Sequence, residues 1–326
     1  MIEILSCGAL ATVQDLGRFG HRRLGVGTAG AMDVLALQIG NLMLGNGPGD
    51  AAIEITASGM RVRLETDTAF ALTGAEAVAD LDGLAIPPWW AHAAKAGSEL
   101  TIRSPKVGLR TYLALRGGIA VPEILGSRST DLKSGFGGHE GRSLKAGDRL
   151  PCGLAEPLNL PYRGFGVKAP MQSLGPIGPE DEATVVRAIP AAQHESFTAD
   201  ARAAFWSAPW KLRPDSNRIG FRFEGPELVA GHRRELLSHG ILPGVVQVPP
   251  GGQPIVQMRD GNTAGGYPKI AVVIEADLWR LAQIRLGGRV RFLEVDRDAG
   301  LAAEAEISGY LGRIKHDARL ASGYRP

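Results

Sequence analysis

Only two cysteines occur in the 326 residues. Cys7 and Cys152 form no Cys-x-x-Cys spacing, so neither a disulfide framework nor a thiolate metal cage is expected, and a cytoplasmic setting is. Each reads as a small buried hydrophobe. No apolar run approaches the roughly 18 residues that a membrane span requires. The opening MIEILSCGALATVQD lacks a basic stretch and carries Glu3 and Asp15, unlike a secretory signal. Excess charge is missing too: 36 basic and 34 acidic residues leave a net charge of +2. They are well mixed, which leaves no electrostatic footprint for nucleic acid or an anionic membrane and favours a small-molecule or protein partner.

Several familiar motifs are absent as well. There is no G-x-x-x-x-G-K-[ST], H-E-x-x-H or G-x-S-x-G string, so the usual marks of P-loop, zincin and nucleophile-elbow chemistry are missing. Gly25-Val-Gly-Thr-Ala-Gly30 matches G-x-G-x-x-G and precedes a helix. The polar Phe19–Leu24 stretch before it is not the buried strand that a dinucleotide site follows. His232 and His239 lie seven apart without carboxylates or cysteines at ligand spacing, and no metal site is expected. No Met-Lys-Met biotinylation site occurs, so any biotin arrives on another polypeptide.

Glycine is abundant, with 44 residues spread along the chain, which implies many tight turns and short strands. In the first half, apolar segments at Ile2–Leu5, Ala52–Thr56, Arg61–Leu64, Ala69–Thr73, Ala77–Leu81, Leu100–Arg103 and Leu109–Leu115 alternate with turn signals. Asp82-Gly83 marks a type I′ hairpin. Leu35, Ile39 and Leu42 give one helix over Met32–Leu44, with Asp33 in its first turn. The second half predicts strands at Ala183–Ile189, Ile219–Phe223, Val245–Val248, Ile255–Met258, Ile270–Ile274 and Val290–Val295. Helices are expected at Ala199–Trp206, Ala276–Ile284 and Ala299–Arg313. Pro151, Pro157, Pro161, Pro170, Pro176 and Pro179 disfavour regular structure between the halves. The expectation is a mainly β protein with a few helices and two domains, 1–165 and 166–326.

Several polar, glycine-rich strings stand apart from this pattern: Thr12-Val-Gln-Asp-Leu-Gly-Arg18, Gly30-Ala-Met-Asp33, Leu125-Gly-Ser-Arg-Ser-Thr130, Gly137-Gly-His-Glu-Gly-Arg142, Asp215-Ser-Asn-Arg-Ile-Gly220 and Gln247-Val-Pro-Pro-Gly-Gly-Gln-Pro-Ile255. The longest runs from Asp260-Gly-Asn-Thr-Ala-Gly-Gly-Tyr-Pro-Lys-Ile270 through Ala276-Asp-Leu-Trp-Arg-Leu-Ala-Gln283. In this order they resemble the biotin-dependent carboxyltransferase family, over nearly the whole chain. That family includes the C component of 5-oxoprolinase, the second component of allophanate hydrolase, the antagonist of a sporulation-kinase inhibitor and the carboxyltransferase part of urea carboxylase. Phe19 and Leu286 stand where the family usually has proline.

The resemblance implies two cyclophilin-like β-barrel domains and a smaller homologous partner of the kind that forms the B component of 5-oxoprolinase. A third protein, of the A-component type, completes a complex that opens 5-oxoproline to glutamate with ATP. The alternative it implies is carboxyl transfer to urea or a related amide from biotin on a separate carrier. A third reading is a regulatory protein that binds a kinase-inhibitor homologue without catalysis. Both reactions act on a planar amide or ureido group, which calls for paired hydrogen bonds and a cation at developing negative charge. Thr263, Tyr267 and Lys269, with the backbone N–H groups of Gly265 and Gly266, can supply these from one loop. Lys269 is the expected cation. Asp260 is expected as a proton acceptor or as the group that orients the lysine. Gln253 offers an amide that donates and accepts, and Ser216, Asn217, Arg218 and Arg128 are further substrate-binding candidates, arginine being suited to a carboxylate. For Asp15, Arg18 and Asp33, ion pairing or helix capping is the favoured role, and Trp89-Trp90 reads as core or interface.

Overall fold

The computed structural model describes residues 1–156, 158–175, 183–231 and 236–323. Two compact units emerge: Met1–Arg18, Ala29–Ser173 and Ser308–Pro326 form one, and Phe19–Thr28 with Leu174–Ile307 form the other. No single cut in the sequence separates them, because Phe19–Thr28 lies in the first half of the chain yet clusters with the second unit.

In the first unit, alternation decides which side chains go inside. Met60, Val62 and Leu64 are buried while Arg61 is exposed and Arg63 half-buried, the period of a strand with one covered face. Two six-stranded sheets result. One runs Arg149–Leu150, Ile2–Cys7, Met60–Leu64, Glu99–Ile102, Ala79–Leu81, Leu84–Ile86; the other runs Phe165–Gly166, Trp90–Ala94, Thr68–Glu76, Val107–Leu115, Ala52–Thr56, Ala11–Gln14. Ile4, Ile53, Val62, Phe70, Leu100 and Leu113 are among the residues of their common core. The Asp82-Gly83 hairpin forms as expected, joining Leu81 to Leu84 with φ of 51° and 81° at the two turn residues.

The helix expected over Met32–Leu44 spans Val34–Met43, and Asp33 stands one step before it as the N-cap, accepting from the Ala36 N–H at 2.8 Å. Trp89 is buried with φ of 57°, and Trp90 begins a strand that the apolar pattern does not mark.

The second unit closes into a barrel. Its strands follow one another as Ala183–Pro190, Lys269–Val273, Val245–Gln247, Ile255–Gln257, Gly220–Glu224, Trp210–Leu212 and Arg289–Glu294. The last pairs in parallel with the first, from Ala183 opposite Arg289 to Ala188 opposite Glu294, so no strand of the ring is left with an open edge. Phe205 stacks on Phe292 at 4.6 Å, and Phe223 meets Phe292 edge-on. The helix expected over Ala276–Ile284 is shorter: a 3₁₀ turn, Glu275–Asp277, leads into Leu278–Ala282. Asp277, fully buried, accepts from the Arg187 guanidinium at 2.8 and 2.9 Å. No helix among the described residues is long and apolar enough to cross a membrane.

Candidate functional site

The loop from Asp260 to Lys269 is held by a two-stranded ribbon at the side of the barrel sheet. His239–Gly240 pairs antiparallel with Ala264–Gly265, His239 standing opposite Gly265. The Ile241 N–H extends the pairing to the Thr263 carbonyl at 3.1 Å. A Cβ at Gly265 would stand 2.7 Å from Gln247 Nε2, and one at Gly266 would stand 2.7 Å from the Leu236 carbonyl oxygen. The two glycines therefore admit neighbouring parts of the protein.

Lys269 opens the next barrel strand and is only 4 % exposed. Its Nζ donates to the Gly265 carbonyl at 2.8 Å and lies 3.5 Å from His239 Nδ1. Its backbone N–H donates to Gln193 Oε1 at 3.3 Å. Burial lowers its pKa, because an ammonium loses hydration there that one carbonyl and one imidazole replace only in part. Opposite it in the sheet stands Gln247, also buried, which accepts from Gln257 Nε2 at 3.0 Å.

Beyond the ribbon lies a groove of about 900 Å³ lined by Gly266, Tyr267, Ser238, Leu228, Pro249 and Pro250 among others. Tyr267 is half exposed on it. Thr263 and Gly265 thus lie on the ribbon, Lys269 bonds to it from the barrel strand, and Gly266 and Tyr267 line the groove. His239, Gln247 and Gln257 join them and were not among the expected site residues. A signal for the glutamines exists: each is the one polar residue in an otherwise apolar strand, Val245–Gln247 and Ile255–Gln257. His239 carries no such signal, since its partner lies 30 residues along the chain.

Other expectations are corrected. Asp260, expected to accept a proton or to orient Lys269, is paired with Arg218. Its carboxylate receives Arg218 Nε at 2.8 Å and Nη2 at 2.9 Å, both side chains being buried. Arg218 is thereby committed to Asp260. Asn217 accepts from the Ile219 N–H at 2.9 Å, and Ser216 Oγ from the Arg222 N–H at 3.0 Å, so both shape a turn. The Gln253 amide is spent on the Gly225 backbone, accepting at 2.9 Å and donating at 3.2 Å. Arg128, in the first unit, donates to the Val121 carbonyl at 2.9 Å and pairs with Glu123 at 2.7 Å. His232 lies outside the described residues; among those described, no group of three or more His, Cys, Asp and Glu is arranged to hold a metal ion.

A carboxyltransferase domain model, comprising subdomains A and B, matches residues 24–294. The chain belongs to the carboxyltransferase domain family. It is 45% identical over 314 residues to the C component of 5-oxoprolinase from Escherichia coli, covering 96% of this chain and 97% of that one. It is 35% identical to the urea amidolyase of Lachancea kluyveri, covering 90% of this chain but 17% of that much longer protein. The crystal structure of the Kluyveromyces lactis urea carboxylase superposes with a TM-score of 0.84 at 30% identity, over 95% of this chain and 29% of that one.

In this carboxyltransferase domain Asp15 and Arg18 of the first-half loops make hydrogen bonds within the fold. Asp15 accepts from the Gly17 N–H at 2.8 Å and Ser127 Oγ at 2.7 Å. Arg18, fully buried, donates to the Ser129 carbonyl at 2.7 Å and lies over the Phe136 ring. Arg22 belongs with the site. Its guanidinium donates to the Ile241 carbonyl, to the Asn262 carbonyl at 3.2 Å and to Thr28 Oγ1 at 3.0 Å. It therefore pins the two chain segments that continue into the ribbon.

Proposed function

We propose that this chain is the C-type component of a 5-oxoprolinase, working with B-type and A-type partner proteins to open the lactam of 5-oxoproline to glutamate with ATP. Near full-length similarity to the C component of the Escherichia coli enzyme, covering 97% of that protein, carries the reading. The site chemistry is compatible with it. Opening an amide places negative charge on the carbonyl oxygen and requires a proton for the departing nitrogen. Lys269 can meet either need from a poorly hydrated position, where a cation acts more strongly than in water. The ATP requirement is assigned to the complex rather than to residues of this chain.

A second reading is carboxyl transfer to urea or a related amide, favoured by the similarity to urea amidolyase and urea carboxylase. In that case biotin, attached to a separate carrier, supplies a transferable carboxyl group. The apolar groove wall of Leu228, Val248, Pro249 and Pro250 beside Tyr267 suits the hydrocarbon and thioether part of its bicyclic ring and would hold it.

The test is co-expression with both partners and measurement of ATP- and 5-oxoproline-dependent glutamate formation. Lys269→Ala should lower turnover on the order of 10²–10³-fold without altering the melting temperature of the complex by more than a few degrees. Lys269→Arg should not restore it, because a planar fork does not occupy the place of a compact ammonium. Normal turnover in the alanine variant, or urea-dependent turnover with a biotinylated carrier in place of glutamate formation, overturns the proposal.

A further inference from the structure

We propose that His239 is the group through which Lys269 exchanges its proton with solvent during turnover. This rests on Lys269 acting on the lactam. Lys269 is buried as a residue, and of the two polar neighbours that the described residues give its Nζ, one, the Gly265 carbonyl, can only accept. The other is the His239 imidazole, whose side chain is at the surface. Among the described residues, His239 is thus the titratable side chain that joins this amine to water.

The imidazole is placed to change roles. Its Nδ1 lies 3.1 Å from the Leu237 carbonyl as well as 3.5 Å from Lys269 Nζ. With its proton on Nε2, Nδ1 offers a lone pair to the lysine ammonium. With a proton on Nδ1, the ring donates to the Leu237 carbonyl or, once the lysine is neutral, to its amine. Burial lowers the lysine's affinity for its proton, which favours giving it up.

Among the described residues, the other elements packed on the Lys269–Val273 strand supply no competing proton carrier for Nζ. Gln247, opposite Lys269, is an uncharged amide. Arg187, on the adjoining Ala183–Pro190 strand, is committed to Asp277. His194, in the neighbouring turn, is held by Glu195 and by Trp206 Nε1 at 3.2 Å.

The step balances. Water adds to the carbonyl carbon of the lactam, whose ATP-driven activation is assigned to the complex, and sheds its proton to solvent; the C–N bond breaks with its electron pair passing to nitrogen, and the Lys269 ammonium gives that nitrogen a proton. The neutral lysine then takes a proton from Nδ1 of the His239 imidazolium. The imidazole regains one from solvent.

His239→Gln and His239→Asn, in the complex assembled with both partners, test this. Turnover should fall by about 10-fold or more with KM unchanged, since proton delivery by a positioned side chain is typically worth 10²–10⁴-fold and water replaces it in part. Added imidazole should recover activity, because the site of the missing ring faces solvent. In the full chain labelled with ¹⁵N-lysine, exchange of the Lys269 Nζ protons with water should slow in His239→Gln, a readout independent of activity. Wild-type turnover and pH profile in both His239 variants, alongside an inactive Lys269→Ala, overturns this inference and leaves the 5-oxoprolinase reading standing. Full activity in Lys269→Ala overturns that reading itself.

Discussion

Arg218 and Asp260 face each other side-on in the barrel unit, joined by hydrogen bonds of 2.8 and 2.9 Å with each residue under 10 % exposed. The pair lies 42 residues apart in sequence and ties the turn after Asp215 to the start of the loop that ends at Lys269. Its two-point geometry uses the carboxylate as an anchor for the guanidinium fork.

Breaking this pair one-sidedly leaves an enclosed charge uncompensated. Asp260→Asn should destabilise the barrel unit by about 3–5 kcal/mol, read from denaturant unfolding. Glutamate-forming activity should fall only in proportion to the folded fraction. A large loss of turnover in fully folded Asp260→Asn would return Asp260 to the catalytic group.

Arg22 offers a second test, away from the reacting groups. Removing its guanidinium in Arg22→Ala leaves the carbonyls of Ile241 and Asn262 without that donor. Losing hydrogen bonds from a partly exposed charged group should cost about 1–2 kcal/mol. Amide exchange at Ile241 and Ala264 should quicken while the Ile53–Ile55 strand amides stay protected. Uniform exchange changes across the chain would count against a local clamp.

Acid sensitivity should centre on Asp148 in the first unit. Burial raises its pKa, but hydrogen bonds from Arg142, at 2.8 and 2.9 Å, and from the Lys145 N–H outweigh it, with Arg142 and His139 charges adding to the effect. The result is a carboxyl held at about 2 instead of 3.8. The folded state binds this proton more weakly than the unfolded state, so its stabilising contribution is complete above about pH 4 and is lost as pH falls towards about 2. A melting-temperature series should fall across that window, and Asp148→Asn should fall less steeply. Parallel curves for the two proteins would rule Asp148 out as the source.

Local patterns carried much of the architecture. Alternating apolar residues located strands such as Ala52–Thr56, and Asp82-Gly83 identified its hairpin, because strand period and positive-φ turns depend on a few adjacent residues. The Gly-Gly-Tyr-Pro-Lys loop stood out as a candidate site through the residue types it carries and the family resemblance. Which polar group faces which was not. Asp260 stands nine residues before Lys269, which made it the natural partner on paper. In the structure the barrel carries Arg218 to Asp260 and brings His239 to Lys269 across 30 residues. The sequence determined the strands, the turns and a lysine at the end of a glycine-rich loop. Barrel closure alone decided its burial and its imidazole neighbour, because contacts between distant strands depend on register and on the order in which the ring closes.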